Sequence, residues 1–496
     1  MNVYKIRIFT SFFVLRFVSI FNANAVSPLK TAVVRFEVKN TSSSLKLSYS
    51  EDHLRYQNDT LKLRNGVCEK IIKLSKPIYV SVRNDEFYGQ IFVAPGYKSK
   101  FVIDVMKKTS NGNVRFESLG DGKIANDYLN QTRVGMTFPR TKIADKPVSE
   151  NEYLIAVDKY FFIRDSICYS HKKKCETHNQ IEPYLALFFD TEQTNTRFCR
   201  GGLLLNLMSN RRYSKERANT FFAKHIEPLG LHKEQVNIES FDSRYFFFSY
   251  YLGYVRDQSW ATDSTLMIKN GFGYNLILST KIYQGQTHRF VIASWLNFLA
   301  DICKVYSSKY PPIDLLIEQY GVYIDKADKA FLLAKYKKNS QSDPTEYTEN
   351  EIIKDFTVTD ISRAQTNFKS KLAQVTLIDL WTTWCGNCVE GFADIEQIAT
   401  HYADNKSISF IKVSLDTKIE KWQGTCQRLK IVDSPNNFWV GGELNSPFSK
   451  QFKVLYLPRI ILLNQEGKIL KLFAPDPRGK GRKELIAIID KYLERN

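Results

Sequence analysis

The segment LIDLWTTWCGNC, residues 377–388, joins a run of apolar residues to two cysteines that are separated by two positions. The run from Gln374 to Leu380 has the aliphatic and β-branched composition of a buried strand. The spacing of apolar residues from Val389 to Ala403 predicts a helix directly after it. The two cysteines are therefore expected where a strand ends and a helix begins.

This position favours redox chemistry for Cys385 and Cys388. The unpaired N–H groups and the dipole at a helix N-terminus stabilise an anion, and such sites lower the pKa of a cysteine thiol from about 8.5 towards 3.5–7.5. We expect Cys385 to attack a partner disulfide and Cys388 to resolve the mixed disulfide. A zinc half-site and a structural disulfide are the alternatives. Zinc would need more ligands, and the C-terminal part offers only Cys426 and His401.

The segments around this site alternate between strand and helix patterns. Residues 409–415, 459–463 and 468–472 have strand composition, and residues 483–493 have helical spacing. Strand, helix and strand followed by a hairpin and a final helix predict an α/β domain.

Residues 377–388 resemble the active-site strand and loop of thioredoxins, most closely those of TlpA/ResA-like extracytoplasmic thiol-disulfide oxidoreductases. The segment YLPRIILLNQEGKI, residues 456–469, is similar to the cis-proline loop and following hairpin of that family. The resemblance covers about residues 356–493 and implies a thioredoxin fold for residues 351–496.

The resemblance also implies roles for single residues. Pro458 would be the cis-proline that faces the sulfurs and helps to hold a bound peptide. Asp379 would be a buried acid that accepts the proton of Cys388, and burial would raise its pKa; the alternative is an acid satisfied by a lysine or a water, without a catalytic role. The residues expected to contact the substrate are Trp384, Gly386, Asn387 and Leu457.

Two features depart from the family pattern. Asn387 stands where a proline is usual, which leaves the redox potential open. The segment from about Asp416 to Lys450 is longer than a minimal thioredoxin needs and resembles the insertion of TlpA-like proteins. Within it, Cys426 is expected to be a buried free thiol.

The N-terminal residues have the pattern of a secretion signal. Lys5 and Arg7 precede a mostly apolar stretch, residues 8–21, which Arg16 interrupts, and Ala23-Asn24-Ala25 offers a cleavage site. We expect residues 1–25 to be a cleaved signal peptide, which predicts a periplasmic or cell-envelope location. An amphipathic helix or an uncleaved anchor is the alternative. No other run approaches the length of a membrane span, so no stable span is expected after cleavage.

The 496 residues predict a multidomain chain. Residues 26–120 read as a β-rich domain, a small antiparallel sandwich or sheet. Residues 121–338 read as mainly helical and residues 339–350 as a linker. The aromatic run at residues 245–252 is expected to belong to the core rather than to a ligand groove.

Net charge and the remaining cysteines add few constraints. The formal charge is +18, but the basic residues are scattered and no nucleic-acid recognition module is found, so no nucleic-acid partner is expected.

Cys168, His171, Cys175 and His178 are spaced as on one helix face. This spacing could mean a Cys168–Cys175 disulfide, no special role or a metal site. The pairing of the other cysteines is left open; these are Cys68, Cys199, Cys303 and Cys426. We expect no cofactor and no metal.

The predicted function is the reduction of protein disulfides outside the cytoplasm, with an upstream membrane thiol carrier as electron donor. The family resemblance, not the residues themselves, favours the reductive direction. The alternatives are a disulfide oxidant or isomerase, and a non-catalytic protein that uses a thioredoxin-like domain to bind partners.

Overall fold

The computed structural model describes most of the chain from residue 29 onwards. The described residues are 29–41, 43–84, 86–109, 113–134, 136, 142–143, 146–177, 183–211, 213–305, 310–341, 346–431 and 436–494. The predicted signal peptide lies outside them. Within these ranges, every helix is too short or too polar to cross a bilayer.

The N-terminal part consists of two four-stranded sheets. Their strands are β1 (Lys30–Lys39), β2 (Leu45–Tyr49), β3 (Gln57–Leu61), β4 (Val67–Leu74), β5 (Ile78–Arg83), β6 (Tyr88–Val93), β7 (Lys98–Lys108) and β8 (Val114–Gly120). The strand orders are β4-β1-β7-β8 and β3-β2-β5-β6. Alternate residues of each sheet are buried in one shared core that includes Phe36, Leu47, Val80 and Phe101, as expected for a sandwich.

One strand pair differs from the predicted antiparallel arrangement. β1 and β7 are parallel, with Val33 opposite Lys98 and Lys39 opposite Asp104. In the sequence, β2, β3, β5 and β6 lie between β1 and β7, and these four strands form the second sheet. The expectation of an antiparallel pair fails here for that reason. The chain can therefore return in either direction, and a tight hairpin does not constrain the pair.

The middle part is helical. Its helices are α1 (Lys123–Leu129), α2 (Glu150–Thr177), α3 (Leu185–Asn210), α4 (Lys215–His225), α5 (Phe241–Tyr245), α6 (Leu252–Gln258), α7 (Trp260–Asn270), α8 (Tyr274–Ile282), α9 (Gly285–Asp301), α10 (Ile313–Tyr320) and α11 (Lys326–Asn339), with the short strands β9 (Lys142–Ile143) and β10 (Lys146–Pro147). Two π-helical turns, Asn130–Val134 and Phe246–Tyr251, extend α1 and α5. In the aromatic run, Phe246 and Phe247 are fully buried, but Tyr245 is 41% exposed, so the expectation of a core role holds for only part of the run.

The structure shows no disulfide between Cys168 and Cys175, so it contradicts the disulfide alternative. They lie seven positions apart on α2, which is continuous through Lys172–Lys174. Seven residues of helix rise about 10 Å, whereas a disulfide needs Cα atoms within about 7 Å. The Cys175 thiol instead donates to the His171 carbonyl oxygen at 3.3 Å. His178 lies outside the described residues, and among those residues no metal-binding cluster of His, Cys, Asp or Glu is found.

The C-terminal part is an α/β unit around one seven-stranded sheet. Its strands are β11 (Thr357–Thr359), β12 (Gln365–Asn367), β13 (Val375–Trp381), β14 (Ile408–Ser414), β15 (Asn437–Trp439), β16 (Arg459–Leu463) and β17 (Ile469–Lys471), in the order β12-β11-β15-β14-β13-β16-β17. Its helices are α12 (Gly386–His401), α13 (Ile419–Leu429), α14 (Pro447–Gln451) and α15 (Gly479–Leu493). The segment read as an insertion thus folds as α13, β15 and α14.

β13 is the buried centre of this sheet. It is parallel to β14 and antiparallel to β16, and all seven of its residues are buried. Ile378 and Leu380 face one core, while Leu377 faces the other, together with Ile395 of α12 and Leu485 of α15. A central strand covered on both faces explains the nearly continuous apolar run in the sequence.

Polar contacts join the three parts of the chain. The N-terminal sheets contact the helical part through Arg55–Asp328 at 2.6 Å and Lys76–Glu239 at 2.9 Å. Lys418, just before α13, pairs with Glu86 of the β5–β6 connection at 3.1 Å. The Lys418–Glu86 pair places the β5–β6 connection beside the segment that follows β14, at the edge of the sheet where the parallel strand β13 also ends.

Candidate active site

The two cysteines of the predicted redox site lie at the start of α12. Cys385 is the N-cap residue, and its Sγ accepts a hydrogen bond from the Cys388 N–H at 3.2 Å. The structure shows the pair as a disulfide. Cys385 is 7% exposed and Cys388 is 1% exposed. The sulfur that is better placed for attack is therefore the one at the helix N-terminus, where N–H donation stabilises a thiolate.

A small apolar cluster surrounds the disulfide. Its buried members besides the cysteine pair are Trp381, Trp422 and Cys426, and Leu457 packs against it from the loop before β16. Trp381 and Trp422 are fully buried. The cluster shields the inner sulfur and leaves access from the side of Trp384, which is 58% exposed.

Asp416 holds the loop that leads to Cys385. Its carboxylate accepts hydrogen bonds from the Thr383 N–H at 2.9 Å and the Thr383 hydroxyl at 2.7 Å. It also accepts one from the Ser414 hydroxyl at 2.8 Å. The indole N–H of Trp439 donates to the Asp416 backbone carbonyl at 2.6 Å. Asp416 is 2% exposed, so these bonds connect the carboxyl end of β14 firmly to the active-site loop.

Asp416→Ala is expected to misplace Cys385 without touching it. Hydrogen bonds to a buried charged group contribute about 1.5–3 kcal/mol each, so we expect a loss of about 2–3 kcal/mol in the free energy of unfolding. We also expect slower alkylation of Cys385 by iodoacetamide in the reduced protein. The exposed Asp404 provides the control, since Asp404→Ala should change stability by no more than about 0.5 kcal/mol. Equal alkylation rates in both variants would contradict a positioning role.

Asp379 lies inside the sheet, behind the disulfide. It is 1% exposed and is located between Leu377 and Trp381 on the face of β13 that packs on α12. Its Oδ2 has no hydrogen-bond partner among the described residues. Burial raises its pKa to about 7, although Lys412 on β14 acts in the opposite direction. A carboxyl group with this pKa can exchange a proton near neutral pH.

The loop before β16 packs Leu457, the residue before Pro458, against the disulfide cluster. The Leu457–Pro458 peptide bond is cis. Arg459 follows it opposite Leu380 of β13 and donates to the Leu472 carbonyl oxygen at 2.8 Å. Its guanidinium group lies 3.5 Å from the ring centre of Phe473. Burial lowers the pKa of Arg459 to about 10, so it stays protonated at neutral pH and anchors the loop.

The remaining residues expected to contact a substrate are at the surface. Trp384, Gly386 and Asn387 are exposed, and a side chain at Gly386 would meet no atom within 4 Å. Leu457 is half-buried. Together they form an open surface around Cys385 onto which an extended polypeptide can lie.

Cys426 belongs to the same cluster, but its environment makes the thiol unreactive. It is fully buried and free, and its Sγ accepts from the Asn437 side-chain amide at 3.2 Å. Burial raises the pKa of this thiol to about 11, which agrees with the expectation of a buried free cysteine.

Sequence reasoning missed Asp416 and Arg459 as parts of the site. Asp416 directly follows the predicted strand at 409–415, and polar residues at the carboxyl end of a parallel strand commonly face a functional site. That signal was available in the sequence. For Arg459, adjacency to Pro458 was the only signal, and its burial depends on the β17 segment folding over it.

The C-terminal part of the chain is similar to known proteins. The model of a family described as thioredoxin-like matches residues 373–469. One similar solved structure is a thiol-disulfide oxidoreductase from Bacteroides fragilis, 23% identical over 28% of this chain and 99% of that one, with a TM-score of 0.25. Another is the thioredoxin domain of a thiol-disulfide oxidoreductase from Bacteroides vulgatus, 19% identical over 30% of this chain and 100% of that one, with a TM-score of 0.26. The resemblance inferred from residues 377–388 is confirmed at the level of the family model: residues 373–469 of this chain belong to a thioredoxin-like domain.

Proposed function

We propose that this protein is an extracytoplasmic thiol-disulfide oxidoreductase that reduces disulfides in other proteins. The observation that carries the proposal is the placement of Cys385 as the N-cap of α12, with the Cys388 N–H directed at its sulfur. The exposed Trp384 and the half-buried Leu457 beside this sulfur offer a surface for a polypeptide rather than a closed pocket for a small molecule.

The reaction proceeds in two exchanges. The Cys385 thiolate attacks one sulfur of the substrate disulfide, and the other substrate sulfur leaves as a thiolate. Cys388 then loses its proton to Asp379, and its thiolate attacks the Cys385 sulfur. The second substrate thiolate leaves, so the substrate gains two electrons and the protein is left with the Cys385–Cys388 disulfide, the state that the structure contains.

Extracytoplasmic location and the reductive direction are parts of the proposal with separate support. The leader-like pattern of residues 1–25 supports export. A thiol carrier in the membrane is the electron donor that would return the disulfide to the dithiol, because an oxidising compartment does not do so itself. The residues required for exchange are the same for an oxidant or isomerase, so direction depends on the redox potential.

The reduction potential of the Cys385–Cys388 couple tests the direction. We expect a value near that of thioredoxin, about −270 mV, when the full chain is equilibrated in glutathione or dithiothreitol buffers and the free thiols are counted by alkylation and mass spectrometry. Cys303→Ser serves as the control, because its half-buried thiol lies in the helical part and should leave the potential unchanged. A value near about −120 mV would instead establish an oxidant.

A further inference from the structure

A cavity of about 540 Å³ lies between the N-terminal sheets and the helical part. One wall comes from β5 and β6 through Tyr79 and Tyr88. The opposite wall comes from α2, α3 and α5, and the lining includes the guanidinium groups of Arg133, Arg164 and Arg244. No residue of the redox site lines this cavity, and the chemistry described above does not use it.

Behind the lining of this arginine cavity, the buried carboxylate of Glu192 pairs with two of the three arginines. Glu192 is fully buried and accepts from Arg133 at 2.9 Å and Arg164 at 3.2 Å. The Tyr79 hydroxyl and the Asn195 amide donate to it at 2.8 and 2.7 Å. Burial alone would raise the pKa of Glu192, but the two arginines hold it at about 2. Glu192 is therefore ionised and its hydrogen-bonding capacity is largely used.

The arginine cavity retains positive charge and unused donors. Arg244 adds a third guanidinium, opposed by Asp242, while Glu239 nearby is paired with Lys76 at 2.9 Å. Burial lowers the pKa of His53, so it is neutral at pH 7. The Nε atoms of Arg133 and Arg164 are buried without a partner among the described residues, and Arg164 is only 4% exposed. Both guanidinium groups already pair with Glu192, but a buried N–H without a partner is costly, and an anion is a favourable partner for it.

Exposed aromatic side chains surround the opening of the arginine cavity. Tyr56, Tyr88, Phe241 and Tyr245 all line it and are 41–65% exposed. Aromatic residues with a polar edge are enriched where proteins bind other polypeptides.

A second cleft lies between this cavity and Trp384 of the redox site. It has a volume of about 660 Å³ and is lined by Trp384 and Lys421 of the thioredoxin-like domain. Tyr88 and Arg133 line both this cleft and the arginine cavity. The Lys418–Glu86 ion pair at 3.1 Å bridges the same two parts of the chain. The two clefts therefore adjoin at Tyr88 and Arg133, on the side of the redox site where Trp384 is exposed.

We propose that the arginine cavity binds an acidic side chain of the same polypeptide whose disulfide is presented to Cys385. This inference rests on the proposed function and names its substrate class: protein segments that carry an Asp or Glu at a fixed distance from the reactive cysteine. The N-terminal sheets and the helical part would then select substrates for the redox site.

Matched peptides on the full-length, prereduced protein test the proposal. Each peptide has one cysteine in a disulfide with thionitrobenzoate, and a single Glu or Gln is moved stepwise along the chain. At the best position we expect kcat/KM to be about 10- to 100-fold higher for Glu than for Gln, the range that hydrogen bonds to a charged group supply. Equal values at every position would overturn the inference.

Variants locate the preference within the cavity. Arg133→Gln should bring the Glu/Gln ratio close to one, whereas Arg133→Lys, which retains the charge, should preserve most of it. Glu192 keeps Arg164, Tyr79 and Asn195 as partners in both variants. Tyr88→Ala should also lower the ratio. Tyr169→Ala is its control, since Tyr169 is similarly exposed, at 69% against 65%, but lines neither cleft.

A binding measurement separates this inference from the proposed activity. Fluorescence anisotropy of the same peptides with serine in place of cysteine should show tighter binding of the Glu peptide, and this difference should weaken with added salt. If the protein reduces free dithiobis(nitrobenzoate) but shows no preference for Glu peptides, the proposed activity stands and the binding of an acidic side chain in the cavity is rejected. If the protein binds Glu peptides preferentially but reduces no disulfide, the cavity binds the acidic side chain and the proposed activity is rejected.

Discussion

Cys385→Ser is expected to abolish the reduction of insulin disulfides by the full-length protein. The serine hydroxyl is not ionised at neutral pH, so the N–H groups at the start of α12 have no thiolate to stabilise. Loss of an enzyme nucleophile can cost on the order of 10⁶-fold in rate, and we expect at least about 10³-fold here. Turbidity of the precipitating insulin B chain, with dithiothreitol as reductant, measures the effect.

Two further variants make this result specific. Cys303→Ser removes a thiol from the helical part and should retain the wild-type rate. Cys388→Ser retains the attacking sulfur of Cys385 but cannot resolve the product, so it should accumulate a mixed disulfide that survives non-reducing electrophoresis. Undiminished insulin reduction by Cys385→Ser would reject an enzymatic role and favour a domain that only binds partners.

Asp379→Asn is expected to slow the second exchange about 100-fold at pH 7, at the lower end of what general acid–base catalysis contributes. Asn cannot accept the proton of Cys388. In the wild-type protein, the release of a fluorescent thiol from Cys385 should accelerate with pH up to about 7, where Asp379 ionises. In the variant this inflection should disappear, and the rate should continue to rise at higher pH. Stopped-flow fluorescence between pH 5.5 and 9 distinguishes the two profiles.

The same substitution should stabilise the fold above neutral pH. Because the pKa of Asp379 is about 7 in the folded protein and 3.8 in a model carboxyl group, the folded state holds its proton more tightly. The contribution of Asp379 to stability is therefore greatest below pH 3.8 and falls as the pH rises to about 7. At pH 8 the neutral Asn avoids a cost of up to about 4 kcal/mol, whereas at pH 4 the two proteins should differ little.

Urea unfolding at the two pH values measures this difference. Asp404→Asn, at an exposed position of the same domain, should leave the free energy of unfolding within about 0.5 kcal/mol of wild type at both. A slower second exchange without the stability gain at pH 8 would show that Asp379 is solvated in the folded protein. The stability gain without the kinetic effect would show that another group takes the proton.

The redox site was predictable because its signals are local. A fully buried strand, a helix N-terminus and two cysteines within four positions leave few alternatives, and β13, α12 and β16 lie close to where the sequence placed them. Pro458 and Leu457 were linked to the cysteines only through family resemblance. No periodicity in the sequence joins positions that are 70 residues apart, and it is the pairing of β16 with β13 that brings them together.

The other features depend on tertiary contacts that no local pattern shows. The parallel pairing of β1 with β7 follows from which strands enter the second sheet. The arginine cavity combines Arg133, Arg164 and Arg244 from three separate elements, and Glu192 pairs with the first two of them. In the sequence these residues are indistinguishable from the scattered charges that give the chain its basic character.

The burial of Cys426 affects how the thioredoxin-like domain responds to oxidation by peroxides. Peroxides convert a cysteine to sulfenic acid through its thiolate, and a thiol with a pKa of about 11 is ionised in only about one molecule in 10⁴ at pH 7. Cys426 therefore reacts slowly even though it shares an apolar cluster with the disulfide. Oxidation should begin at the more reactive Cys385. The Cys388 thiol can then condense with the sulfenic acid of Cys385 and restore the disulfide, with loss of water. The domain thereby keeps a third sulfur beside its reactive pair without risking a scrambled bridge.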